Sequence, residues 1–148
     1  LLTMAVVAAL LVATVGLVLF TGNGQADMLP EDTPQGIVQR YLLALQQQDY
    51  PQAYDYLVFD PGEGIKSYED WLRFSAGYPT QGGQRTWKAT LGDIIEDGPT
   101  ASVNVYIDTF RPSGPFEDPV NRQDMVFQLT RTPAGWRITS PIYVYWNY

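Results

Sequence analysis

This chain must do any chemistry without the commonest tools for it. Its 148 residues include no His and no Cys. The usual general base and the usual transition-metal ligand are therefore missing. Disulfides, thiolate nucleophiles, cysteine-type zinc sites and Cys-x-x-Cys-His haem attachment go with the cysteines. Carboxylates and tyrosine hydroxyls remain. Tyr106 and Asp108 stand two apart in "ASVNVYIDTF", which alternates strictly. Ala101, Val103, Val105 and Ile107 share one face of that strand, and Ser102, Asn104, Tyr106 and Asp108 share the other. On a half-exposed strand the second face meets water, and its residues need no catalytic role. The acidic stretches "IIEDGPT" and "DPGEG" lack the alternating oxygen ligands of a calcium loop and read as solvated turns. No catalytic residue, metal or cofactor is expected.

The elements that must position these residues fall in a clear order. Thr33 caps a helix whose first turn holds Pro34. Ile37, Val38, Tyr41, Leu42 and Leu45 recur at helical spacing, and the helix stops near Asp49. A short second helix follows from a cap at Asp49 or Tyr50, with Ala53, Tyr54, Leu57 and Val58 as its apolar stripe. Ser67 and Asp70 make a capping-box pattern that opens a third helix over residues 67–78. After "PTQGGQ" the period changes to two. Trp87, Ala89 and Leu91 mark the first strand, and an Asp-Gly turn at residues 96–100 leads into the second. Residues 111–123 hold three prolines and read as a long loop. "MVFQLTR" is the third strand. The last runs from Trp136 to Trp146, with a bend expected at Pro141.

Charge and hydropathy bound the setting. Nine basic against 16 acidic residues give a net charge of −7, which opposes nucleic-acid binding. Residues 1–20 carry no charge, and about 20 residues in a helix span a hydrocarbon core of roughly 30 Å. A cleaved signal peptide would have a shorter apolar region. The expectation is a transmembrane anchor over residues 1–20, a linker over 21–33 and a folded domain over 34–148. Asp27, Glu31 and Asp32 precede the first basic residue, Arg40. The positive-inside rule then places the C-terminal domain on the extracytoplasmic side of a bacterial cytoplasmic membrane, with one membrane pass.

Helices followed by antiparallel strands argue an α+β fold. Three segments carry a resemblance. "TPQGIVQRYLLALQQQDYPQAYDYL" looks like the opening helix pair of the nuclear transport factor 2-like superfamily, which includes ketosteroid isomerase and the polyketide cyclases. "YEDWLRFSAGY" is similar to its third helix. "MVFQLTRTPAGWRITSPIYVY" is similar to its terminal hairpin. The resemblance implies a cone-shaped domain of three helices packed on a curved antiparallel sheet. Members of that family work with Asp and Tyr inside the cone. A cavity of that kind would be lined here by Tyr54, Tyr106, Asp108 and Tyr143, where a buried carboxyl beside tyrosine hydroxyls would have a raised pKa and be able to shuttle a proton, but no catalytic role is carried over from the family to these positions. The nearest look is to membrane-anchored members of bacterial envelopes.

The proline-rich loop and the end "IYVYWNY" suggest a different use. Phe116, Tyr143, Tyr145 and Tyr148 make a candidate patch for partner contact, since aromatics are enriched in interface cores. The leading expectation is a non-catalytic accessory subunit of a multi-subunit bacterial membrane complex. A respiratory or photosynthetic electron-transfer assembly such as alternative complex III is a natural host. A small-ligand-binding or isomerase/lyase-type domain and an envelope homodimer scaffold are the alternatives.

Overall fold

The structure is a computed structural model that describes residues 17–18, 27–76, 87–110 and 120–144. It is α+β. Three helices, α1 (Pro34–Gln46), α2 (Tyr50–Asp55) and α3 (Tyr68–Ala76), precede an antiparallel sheet of β2 (Trp87–Asp97), β3 (Thr100–Phe110), β4 (Val120–Thr132) and β5 (Gly135–Ser140). A two-residue strand β1 (Leu17–Val18) pairs with Leu91 and Thr90 on the outer edge of β2. Within the expected transmembrane run, these two residues are thus extended. An edge strand offers unpaired N–H and C=O groups that such a segment can satisfy. The rest of that run lies outside the described residues. Among the described residues no helix is long and apolar enough to cross a membrane.

Local signals explain the helix starts. Thr33 accepts the Gly36 N–H and Asp49 accepts the Gln52 N–H, each just before a proline at the head of the helix. Ser67 accepts the Asp70 N–H, and the Asp70 carboxylate returns to the Lys66 N–H. α1 packs against β2, β3 and β5. It buries Ile37, Val38, Tyr41 and Leu42 against the odd-numbered face of β3, and Phe127 and Leu129 of β4 join the same core. The Asp-Gly turn between β2 and β3 places Gly98 at φ +56°, a conformation glycine adopts without a Cβ penalty.

The two edges of the sheet differ. Along β5, Ile138 donates its N–H to Tyr56 O and accepts from Val58 N–H, both at 2.9 Å, so the chain after α2 covers that edge. β2 carries a bulge between Leu91 and Ile94, which changes the phase of its side chains.

Two expectations need correction. The stretch 111–123 is not all loop: pairing with β3 continues to Phe110 opposite Val120, so residues 120–123 belong to β4. The last strand does not run to Trp146. β5 ends at Ser140, because Pro141 offers no N–H to a ladder. Ile142 and Val144 still reach the core, and Tyr143 packs against it from a half-buried position.

Candidate functional site

The helices leave one face of the sheet uncovered by any described element. Cross-strand register shows which side chains share it. Lys88, Asp108 and Arg122 lie side by side on β2, β3 and β4, and Thr90, Tyr106 and Asp124 form the next row. Further along, Ile95 opposes Ser102, and Asn104 opposes Val126. At the other end Phe110 opposes Val120. Ile95 is 64% exposed and Val126 51%, and Phe110 and Val120 are exposed as well. Apolar side chains thus stand in water on both sides of a polar centre.

That centre is well defined. Arg122 donates from Nε to Asp108 Oδ1 at 2.7 Å and from Nη2 to Oδ2 at 2.9 Å, a two-pronged ion pair. Its guanidinium carbon lies 6.0 Å from the Tyr106 ring centroid. Tyr106 in turn covers Gly92 in the β2 bulge. A Cβ at Gly92 would sit 2.8 Å from the tyrosine ring, so only glycine lets the ring lie there.

The pair fixes the charge of Asp108. The Arg122 hydrogen bonds, aided by the charges of Arg122 and Lys88, hold its carboxyl below the usual carboxylate range; burial acts in the opposite sense and loses. Asp108 is therefore ionised and occupied at neutral pH, and it is not the raised-pKa acid that the cavity reading requires. A depressed pKa contributes stability that is complete above the ordinary value of about 4 and lost as pH falls through the folded value. We expect wild type to melt higher than Arg122→Gln at pH 7, with the gap closing as pH drops below 4. The effect is modest because the Arg122 side chain is 64% exposed and screened by water. Melting curves from pH 7 to pH 3 check this. A gap that does not change with pH would show that the ion pair adds nothing to stability.

The candidate cavity residues are not brought together. Tyr54 lies on the helix side of the sheet. Its ring is 5.4 Å from Phe59, 5.5 Å from Tyr68 and 5.7 Å from Trp71. Tyr106 and Asp108 belong to the opposite face of β3. The interior beneath the helices is filled by Trp71, Tyr41 and Phe127, all fully buried, with Tyr41 edge-on to Phe127. Trp71 Nε1 donates to Ile142 O at 2.7 Å, and the Tyr41 hydroxyl donates to the same oxygen at 3.3 Å. Burial pushes the Tyr41 phenol far above its ordinary range, so it stays neutral. Of the expected contact patch, Tyr143 is half-buried against the core, while Phe116, Tyr145 and Tyr148 lie outside the described residues. Among the described residues no cluster of three or more acidic side chains could hold a metal ion.

The residues missed by sequence reasoning are Ile95, Val126, Lys88 and Arg122. Val126 carried a signal: it is an apolar residue out of phase in an otherwise alternating strand. Comparison with known proteins gives no match; no family model, curated protein or solved structure is significantly similar to this chain.

Proposed function

We propose that this chain is a non-catalytic accessory subunit of a multi-subunit bacterial membrane complex. In this reading the apolar run of residues 1–20 anchors the chain to the cytoplasmic membrane through its part before Leu17, since Leu17 and Val18 pair with β2, and the domain, on the extracytoplasmic side, docks through its open sheet face. Membership in the nuclear transport factor 2-like superfamily belongs to the same proposal, supported by the quoted segments and by the helix-then-sheet order. One observation carries the docking reading: Ile95, Phe110, Val120 and Val126 are exposed on one face while the opposite face is closed by its own aromatics. Exposed apolar side chains gathered on one face of a sheet, here at the two ends of a polar centre, support a contact surface.

The face also states what kind of partner fits. Lys88 and Arg122 balance Asp108 and Asp124, although the whole chain carries −7. Burial here would involve little net charge, whereas elsewhere an acidic surface repels other acidic proteins. The partner is a protein subunit that offers apolar side chains flanked by charges of both signs.

The test is native mass spectrometry of the full chain gently solubilised from its own membrane, beside an Ile95→Asp/Val126→Asp variant. We expect larger subunits with wild type and their loss in the variant. Haem or iron–sulfur absorbance in the co-purifying subunits would identify an electron-transfer host. A dimer of this chain alone that the variant splits would transfer the face to self-association and overturn the accessory reading. A monomer retaining a small bound mass would overturn it in favour of a ligand-binding domain.

A further inference from the structure

Asp108 uses only one edge of Arg122. A guanidinium carries five N–H donors in a planar fork. The carboxylate takes those of Nε and Nη2, the side-on edge. Both hydrogens of Nη1 and the second hydrogen of Nη2 remain, and they make another two-donor edge of the kind that fits a carboxylate. Among the described residues nothing accepts from that edge. Asp124 is the rival by position, two residues along the same strand and exposed on the same face. It forms no ion pair with Arg122.

The unused edge is also held still. The Asp108 side chain, only 10% exposed, grips the guanidinium at the sheet surface, while the Arg122 side chain is 64% exposed. The Tyr106 ring stands 6.0 Å from the guanidinium carbon, and its own place over Gly92 depends on the missing Cβ there. A long side chain normally loses rotamer freedom when it binds. Here the fold has already ordered it, so a ligand meets a donor set in advance.

Charge says what the ligand is. The row Lys88, Asp108, Arg122 holds two cations and one anion, an excess of one positive charge. Asp124 in the next row and the net −7 of the chain oppose an anion of higher charge. A single negative charge with two coplanar oxygens is a carboxylate. The row lies between the exposed pair Phe110 and Val120 and the exposed Ile95 and Val126. A partner resting on both apolar ends would shut water away from this row, where a charge-assisted, two-pronged bond is strongest.

We propose that the free edge of Arg122 receives a carboxylate of the partner subunit, an Asp or Glu side chain, and that this contact sets how the partner is seated on the open face. The proposal rests on the docking reading above.

The experiment uses the full chain with its co-purifying subunits, released gently from the membrane. The time those subunits stay on the immobilised chain is measured for wild type, Arg122→Gln, Arg122→Glu and Ile95→Asp/Val126→Asp. The Arg122→Lys complex is treated with a water-soluble carbodiimide, which joins an amine to a carboxylate in contact with it, and the products are sequenced by mass spectrometry. β3 amide protection confirms the fold; if Arg122→Gln fails to fold, Arg122→Glu and Arg122→Lys carry the comparison. We expect residence at least about tenfold shorter in Arg122→Gln, shorter again in Arg122→Glu, and an amide from position 122 to an Asp or Glu of another subunit in Arg122→Lys. Unchanged residence in Arg122→Gln and Arg122→Glu, with the partner lost in Ile95→Asp/Val126→Asp, would overturn the carboxylate contact and leave the docking reading standing. Coupling only to Asp108 of the same chain would overturn the contact too, whatever the residence times. Retention of the partner in every variant would overturn both.

Discussion

Replacing Trp71 with Ala should cost about 3–5 kcal/mol of folding stability, a large share of the roughly 5–15 kcal/mol a domain possesses. The indole is fully buried, touches the rings of Tyr54 and Tyr68, and pins Ile142 O through Nε1. Truncation removes three things together: the buried ring area, the ring contacts of α2 and α3, and a short, buried hydrogen bond to a main-chain carbonyl. Trp71→Phe separates these terms. It keeps most of the apolar volume and strands only part of the carbonyl's bonding, since the Tyr41 hydroxyl still donates to it at 3.3 Å. That variant should lose about 1–3 kcal/mol. Urea unfolding with matched slopes checks both values. A Trp71→Ala loss under about 1 kcal/mol would mean that the space beneath the helices can collapse or fill with water, and would reopen the cavity reading.

The sequence made some of this visible and hid the rest for identifiable reasons. Helix starts at Thr33, Asp49 and Ser67 were legible because a cap acts over three residues. The buried face of β3 was legible because Ala101, Val103, Val105 and Ile107 keep strict phase. The charge state of Asp108 was not legible. Its partner Arg122 is 14 positions later, and only the β3–β4 register places them opposite. Ile95 was hidden by the bulge: "DIIEDG" holds adjacent isoleucines, and a phase change between Leu91 and Ile94 decides which of them faces water. The end of β5 was misplaced because the apolar alternation continues past Pro141 after strand pairing has stopped. Tyr54 was separated from Tyr106 and Asp108 by the sheet itself, a long-range fact that no local pattern encodes.

The open face gives a second large prediction, in the form of a contrast between two valines. Val103 and Val126 lie on neighbouring strands, and Val126 sits opposite Asn104, one residue beyond Val103. Val103 is fully buried and Val126 is 51% exposed. Val103→Asp places an unpaired carboxylate in the buried core, opposite Phe127; the cost should be about 4 kcal/mol or more. Asp at 126 meets water and should change stability by no more than about 1 kcal/mol. Assembly should respond in the opposite order. Val126→Asp should keep its melting temperature and lose its partner subunits. Val103→Asp should lose the fold, and Val103→Ala, which is destabilised but folded, should keep the partner. Thermal melts and native mass spectra of the same three preparations check this. If Val126→Asp retained its partner, the exposed apolar face would have no role in docking, and the contact would have to lie on another surface. If Val126→Asp unfolded as Val103→Asp does, the face would be a covered core rather than an open surface. The expected pattern, stability lost on one face and assembly on the other, is the behaviour of a sheet whose two sides have been given separate tasks by the phase of its side chains.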